Sequence, residues 1–168
     1  MLNSIWLGIR NVAMIVLFPG TVIVYIPYRL LAPNSAPELT SWSHTQYTAM
    51  LVMAIGAAIL LKSIWSFAFV GNGTLAPFDE TKKLIVVGLY RYVRNPMYIG
   101  VTLILLGESW FFRSATLMKY TGIFFVVANV LVIGYEENRL RNKYGDEFRR
   151  YCEHVRRWIP GQPYHSPA

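Results

Sequence analysis

Four apolar segments of membrane-spanning length limit what this 168-residue chain can fold into. They lie at about 5–28, 47–70, 95–112 and 116–135, and a helix needs about 20 apolar residues to cross the hydrocarbon core of a bilayer. The composition agrees, since 54% of the residues are hydrophobic, 15% are charged and the mean hydropathy is +0.35. The segments predict an all-α integral membrane protein with about four transmembrane helices.

Two of these segments carry additional signals. The first has no basic region ahead of its apolar run and continues to Tyr28, so we interpret it as a retained span and not as a cleaved signal peptide. Its "FPG" at 18–20 predicts a kink. The second contains "AIGAA" at 54–58, and such small residues let a neighbouring helix approach closely.

The chain has a net charge of +7, and its basic residues are distributed unevenly between the two sides of the predicted spans. Twelve of the sixteen Lys and Arg residues lie at the start of the chain, in the connection 71–94 or after the last span, whereas the loop "APNSAPELTSWSHTQ" contains none. The positive-inside rule therefore predicts a multi-pass protein with both termini in the cytoplasm. This distribution explains the charge without a nucleic-acid partner.

Only about three residues, "RSA", separate the last two spans, which predicts a tight helical hairpin with neighbouring cytoplasmic ends. After this hairpin, apolar residues recur at spacings of three and four from Leu140 to Trp158 and predict an amphipathic helix. We expect Gly145 to interrupt this helix and Pro160 to end it. The chain would then divide into two N-terminal transmembrane helices at 1–70 and a C-terminal region at 71–168.

The stretch "YRYVRNPMYIG" at 90–100 joins the basic connection to the third span. Asn95 is a good N-cap and Pro96 fits the first helical turn, so a plain helix start with inner-surface arginines accounts for these residues. The alternative is functional. Free backbone N–H groups and a positive helix end beside Arg94 would suit an anionic group such as a carboxylate.

Glu136 and Glu137 leave the fourth span at the same membrane surface. Solvation and an i,i+4 pair with Arg141 would explain Glu137 better than Glu136. Because the hairpin brings Glu136 towards Asn95, Pro96 and Tyr98, a carboxylate could share a cavity with cationic groups. A ligand carrying both signs of charge would suit that cavity.

Other kinds of site have little support. Cys152 is a lone cysteine, and the three histidines show no metal-ligand spacing. No Ser-His-Asp arrangement is brought together by the predicted topology, and "GNG" at 71–73 lacks the rest of a dinucleotide-binding motif. We therefore predict no metal and no Rossmann-type nucleotide site.

The block "GLYRYVRNPMYIG", an apolar hairpin and the block "EENRLRNKYGDEFRRYCEHVRRWIP" together resemble the isoprenylcysteine carboxyl methyltransferase family and related phospholipid methyltransferases. The resemblance covers about residues 71–160. It implies S-adenosylmethionine-dependent methyl transfer inside a helical membrane fold, to a lipophilic or membrane-partitioned acceptor. Residues expected around the cofactor, from the resemblance and the predicted cavity together, are Lys82, Lys83, Leu84, Ile85, Tyr90, Arg94, Asn95, Pro96, Met97, Tyr98, Glu136 and Glu137.

Two positions depart from that family's pattern. Asn95 replaces the commoner histidine before the proline, so we assign no general base there. Val132 stands where the prenylcysteine enzymes have an arginine for the substrate carboxylate, which favours a different acceptor with an amine, thiol, hydroxyl or carboxylate nucleophile. Two alternatives remain, a membrane sterol-type reductase using NADPH and a non-enzymatic scaffold whose basic tail binds anionic lipid.

Overall fold

The structure, a computed structural model, describes residues 19–31, 43–70, 84 and 86–165. Within these ranges the regular elements are helical, apart from one isolated parallel bridge between Val93 and Arg156. The 3-10 turn Gly88–Arg91 precedes the third of the helices. The helices are α1 (Thr21–Leu31), α2 (His44–Val70), α3 (Pro96–Phe111), α4 (Ala115–Leu131) and α5 (Glu137–His154).

Two of the described helices are long and apolar enough to cross a membrane. One is His44–Ser66 within α2, and the other is the helical stretch Ala115–His154, which contains α4 and α5. The apolar helices α1 and α3 are shorter. At 1.5 Å per residue, the 16 residues of α3 span about 24 Å, less than the roughly 30 Å hydrocarbon core.

Helices α2 and α3 approach each other so closely that glycine is required at their contact. A Cβ atom added to Gly56 would lie 2.8 Å from the carbonyl oxygen of Gly100, and one added to Gly100 would lie 2.8 Å from the backbone nitrogen of Leu60. The small residues at 54–58 therefore do admit a neighbouring helix, and that neighbour is α3. The buried side chains Leu60, Val101 and Leu105 form the apolar core beside this contact.

The turn between α3 and α4 contains the residues that the sequence placed there. Arg113 has a positive φ of 49°, and the Ser114 side chain caps α4 by accepting a hydrogen bond from the Leu117 amide at 3.3 Å. The tight hairpin is thus confirmed. It places Glu136, at the end of the second arm, beside the first turn of α3.

A π-helical turn, Val132–Glu136, joins α4 to α5 without a break in the helical backbone. Gly145 interrupts α5 with φ 51° and ψ −122°, as expected. The helix nevertheless ends at His154 and not at Pro160, because Val155 is already extended. Val155 and Trp158 therefore lie after the end of the helix, and the extended backbone that begins at Val155 sets the positions of their apolar side chains.

After α5 the chain returns along the segment that precedes α3. The amide of Arg94 donates to the carbonyl of Arg156 at 3.0 Å, the amide of Gly161 to the carbonyl of Tyr92 at 2.9 Å, and the amide of Tyr164 to the carbonyl of Arg91 at 2.9 Å. We call residues 155–165 the return segment. Its Val155 packs with Phe148 and Tyr151 in a second buried core, which holds α5 against the connection.

Candidate functional site

The centre of the candidate site is a direct contact between two helices. The hydroxyl of Tyr98, in the first turn of α3, donates to Glu136 Oε1 at 2.5 Å. A carboxylate accepts a short hydrogen bond of this kind strongly because it is charged. The hairpin makes this contact possible, since it returns the chain to the level of Tyr98 after 38 residues.

Tyr90 lies close enough to this pair for the charge of Glu136 to affect the pKa of its hydroxyl. Burial raises the pKa of the Tyr90 hydroxyl, and the neighbouring Tyr151 and Glu136 raise it further. Tyr90 is therefore a neutral phenol at physiological pH. Its backbone carbonyl accepts a hydrogen bond from the Tyr151 hydroxyl at 2.6 Å, which attaches the 3-10 turn to α5.

The N-terminus of α3 differs from the predicted cap. Asn95 precedes the helix and Pro96 occupies its first turn, as expected, but the Asn95 side chain makes no capping hydrogen bond. Its amide instead donates to the carbonyl of Arg157 in the return segment at 3.3 Å. The first backbone amides of a helix have no acceptor inside it, so those of Met97 and Tyr98 are candidate donors to an external anion.

Glu137 faces a different set of partners from Glu136. Arg157 donates from Nε to Glu137 Oε1 at 2.7 Å and from Nη2 to Oε2 at 2.8 Å, and Arg94 Nη1 donates to Oε1 at 3.0 Å. Among the described residues, Arg94 and Arg157 form the ion pairs with Glu137, whereas Arg141, which the sequence paired with it, acts on it through its charge. Arginine binds a carboxylate with two parallel hydrogen bonds, so Glu137 joins the ends of α3, α5 and the return segment.

The electrostatics of this cluster keep Glu137 ionised. Burial alone would raise the pKa of its carboxyl, but the hydrogen bond from Arg157 and the charges of Arg94, Arg157 and Arg141 together lower it. Arg94 Nη1 also lies 3.0 Å from the Cys152 sulfur, and burial raises the pKa of that thiol. Cys152 is therefore a packed thiol in this cluster, without the thiolate character that a nucleophile needs.

Trp158 forms a wall of the site that the sequence did not identify. Its indole N–H donates to Asn129 Oδ1 in α4 at 2.9 Å. Its ring lies 5.2 Å from the Phe125 ring and 6.4 Å, edge to face, from the Tyr98 ring. The spacing of apolar residues predicts that Trp158 lies on an amphipathic helix, whereas the helix ends before it. A hydrogen bond to a residue as distant as Asn129 produces no local pattern in the sequence that would predict it.

The structure brings only part of the expected cofactor set together. Tyr90, Arg94, Asn95, Pro96, Tyr98, Glu136 and Glu137 lie around the start of α3. The side chain of Met97 packs against the core between α2 and α3, and Leu84 packs against the core beneath α5. Lys82, Lys83 and Ile85 lie outside the described residues.

Residues 44–147, more than half of the chain, match the family model for phospholipid methyltransferases. The chain belongs to this family. The region matched by the phospholipid methyltransferase model includes α2, α3, α4, the π-helical turn and most of α5. It therefore contains both Tyr98 and Glu136. Membership implies methyl transfer to lipid-like substrates as the activity to examine.

The phospholipid methyltransferase match is accompanied by a curated relative from Haemophilus influenzae, described as an uncharacterized protein. It is 42% identical over 63 residues, which cover 38% of this chain and 100% of the relative. No solved structure matches the chain significantly. The description of this relative names no substrate.

Proposed function

We propose that this chain transfers a methyl group from S-adenosylmethionine to a lipophilic acceptor held in the membrane. The observation that carries the proposal is the Tyr98–Glu136 pair beside the uncapped N-terminus of α3. This arrangement offers a carboxylate and a set of backbone donors within the region that matches the methyltransferase family. We also propose that residues 71–168 form the catalytic region and that both termini are cytoplasmic.

The donor set fits the polar groups of S-adenosylmethionine. The amides of Met97 and Tyr98 and the positive end of α3 would hold its carboxylate. Glu136 would hold its ammonium or sulfonium, and the aromatic faces of Tyr90 and Tyr98 would add a cation–π contribution. Arg94 and Glu137 would act indirectly, because their hydrogen bonds position Asn95 and the return segment around the same helix start.

The cofactor supplies an activated methyl group when bound: the acceptor forms a bond to the methyl carbon, the carbon–sulfur bond breaks and the sulfur retains that electron pair. An amine acceptor would attack through the lone pair of its neutral form and a hydroxyl acceptor through its oxygen, and the proton released from the methylated atom would pass to bulk water. The residues of this chain contribute alignment and exclusion of water, which are the main requirements of such a displacement. Asn95 has no titratable group, so we assign no general base.

The acceptor would approach from the bilayer, where α4 exposes apolar side chains next to the candidate site. Phe125 and Val130 are 37% and 65% exposed, and Trp158 closes the adjoining side through its bond to Asn129. The phospholipid methyltransferase match favours methyl transfer over the reductase alternative. Because Val132 is apolar, the chain offers no arginine at that position for a prenylcysteine carboxylate.

Cofactor binding by the full chain in detergent tests the proposal. Isothermal titration with S-adenosylmethionine should give saturable binding, and Glu136→Gln should weaken it about tenfold or more because a charge-assisted hydrogen bond contributes about 1.5–3 kcal/mol. Glu147→Gln is the matched control, since Glu147 is an exposed carboxylate on α5. Binding of NADPH without S-adenosylmethionine, or equal losses in both variants, would overturn the assignment.

A further inference from the structure

Asn129 is a polar side chain in a part of α4 that is otherwise apolar. No other residue between positions 122 and 134 has a polar side chain. At 1.5 Å per residue, Asn129 lies about 21 Å along the axis from Ala115, the first residue of α4, so it lies within the span and not at its end. A polar side chain at this depth is costly unless its groups are hydrogen-bonded.

The side-chain amide of Asn129 makes two hydrogen bonds of different range. Its Nδ2 donates to the carbonyl of Phe125, one helical turn earlier, at 3.0 Å. Its Oδ1 accepts from the indole N–H of Trp158 at 2.9 Å, and this partner lies 29 residues away in the return segment. Because a carbonyl only accepts and an indole N–H only donates, the two partners fix the orientation of the amide. The second bond attaches the return segment to the membrane-spanning helix.

A second asparagine on the same helical stretch makes only the local bond. Asn138 donates to the carbonyl of Gly134, also one turn earlier and also at 3.0 Å. Its amide has no second partner within the part of the chain that the structure describes. Asn129 and Asn138 thus share the local contact and differ in the bond to the indole, so that bond is the feature that distinguishes Asn129.

Trp158 extends this connection to the candidate site. Its ring meets the Tyr98 ring edge to face, with 6.4 Å between the ring centres, a separation at which aromatic pairs attract each other. The Tyr98 hydroxyl in turn donates to Glu136. The bond to Asn129 holds the indole in one orientation, and the indole then restricts the position of the Tyr98 ring.

We propose that Asn129 is a positioning residue for the Tyr98–Glu136 pair and acts on it through Trp158. The indole N–H is a donor in partly buried surroundings, and Asn129 supplies its hydrogen-bond partner from within α4. The consequence for ligand binding rests on the proposed function, because a displaced Tyr98 would hold S-adenosylmethionine less well. One side chain of the membrane span thereby contributes to the geometry of the cofactor site.

Replacing Asn129 by leucine, which has a similar size, tests this role in the full chain in detergent. Asn129→Leu should lower the affinity for S-adenosylmethionine about fivefold, the ratio that one lost hydrogen bond produces. Asn138→Leu removes a local bond of the same kind and should keep the affinity. In a Trp158→Phe background, Asn129→Leu should cause little further loss, because the indole donor is already absent.

Two results of these titrations would overturn the positioning role. One is an equal loss of affinity in Asn129→Leu and Asn138→Leu. The other is a full additional loss when Asn129→Leu is combined with Trp158→Phe, because Asn129 would then act by a route other than the indole. Asn129→Ala provides a second variant if the leucine variant does not fold, and the same outcomes apply to it.

A nuclear magnetic resonance measurement makes the test independent of the cofactor. In a chain labelled at tryptophan and tyrosine, the signals of Trp158 and Tyr98 are assigned by their loss in Trp158→Phe and Tyr98→Phe. Without cofactor, Asn129→Leu should shift the Trp158 indole N–H signal and the Tyr98 ring signals, whereas Asn138→Leu should shift neither. Unchanged Tyr98 signals would overturn the positioning role. If the shifts occur but the wild-type chain does not bind S-adenosylmethionine, the proposed methyl transfer fails and the positioning of Tyr98 stands.

Discussion

Glu136 and Glu137 are adjacent in sequence but enter different environments. The Glu136 carboxylate accepts from Tyr98 on the side of the candidate site, whereas that of Glu137 accepts from Arg94 and Arg157. The π-helical turn that ends at Glu136 contributes to this difference, because the wider turn changes the direction in which the two side chains leave the helix. These contacts support the ligand-binding role proposed for Glu136 and the positioning role proposed for Glu137.

Replacing Glu137 should lower the stability of the packing between α3, α5 and the return segment. The side chains of Glu137 and Arg94 are only 10% and 15% exposed, so Glu137→Gln leaves a nearly buried guanidinium without its counter-charge. We expect a loss of about 3 kcal/mol in the free energy of unfolding. Thermal unfolding in detergent measures it. Glu147→Gln, at an exposed position, should change the stability little, and similar melting temperatures for both variants would contradict the network's role.

The contribution of Glu137 should also depend on pH in a defined direction. Because the folded-state pKa lies below the ordinary value of 4.5, the stabilisation is fully present above that value and is lost as the pH falls through the folded-state pKa. The stability difference between the wild-type chain and Glu137→Gln should therefore shrink on acidification below about pH 4.5. Unfolding measured across this range checks the sign, and a difference that grows towards acid would be inconsistent with it.

At the scale of helices, the contact between α2 and α3 positions the start of α3 and hence Tyr98. Glycine at this contact lets the two backbones come together, as small residues do in membrane helices. The same helices would separate if either glycine acquired a side chain. The glycine at position 122 of α4 provides a comparison, since a Cβ there would meet no atom within 4 Å.

Gly100→Ala should therefore destabilise the chain, whereas Gly122→Ala should not. The added Cβ at position 100 would lie 2.8–3.0 Å from atoms of Leu60 and Gly56, and such overpacking costs about 1–3 kcal/mol. At position 122, alanine should be neutral or stabilise by up to about 1 kcal/mol through its higher helix propensity. Thermal unfolding distinguishes the two; equal effects would show that α2 and α3 do not meet as described.

The return segment is the other element that shapes the site. Trp158→Ala removes the contacts with Phe125 and Tyr98 and the hydrogen bond to Asn129, so we expect a loss of about 3 kcal/mol in stability and weaker S-adenosylmethionine binding. Trp158→Phe keeps a ring and should lose only about 1 kcal/mol. Ile159→Ala, at a 63% exposed neighbour, should be close to neutral. Equal cofactor affinities in all three variants would exclude Trp158 from the site.

At the scale of the whole molecule, the hairpin and the return segment bring distant parts of the chain together at the start of α3. The proposed orientation can be tested in a Cys152→Ser background that carries a new cysteine at either exposed position, Thr116 or Gln162. A membrane-impermeant maleimide added outside intact cells should label the cysteine at 116 and not the one at 162. The reverse pattern would invert the proposed topology.

The sequence by itself determined the helical membrane class, the tight hairpin, the Pro96 helix start and the meeting of Glu136 with Tyr98. These features depend on local signals, namely apolar runs, turn residues and short loops, together with motif resemblance. Only the tertiary structure decided that Asn95 donates to Arg157 instead of capping α3, that Glu137 pairs with Arg94 and Arg157, and that Trp158 reaches Asn129. The physical reason is that each of these partners lies 20 to 62 residues away, and hydrogen bonds over such separations depend on how the helix ends pack.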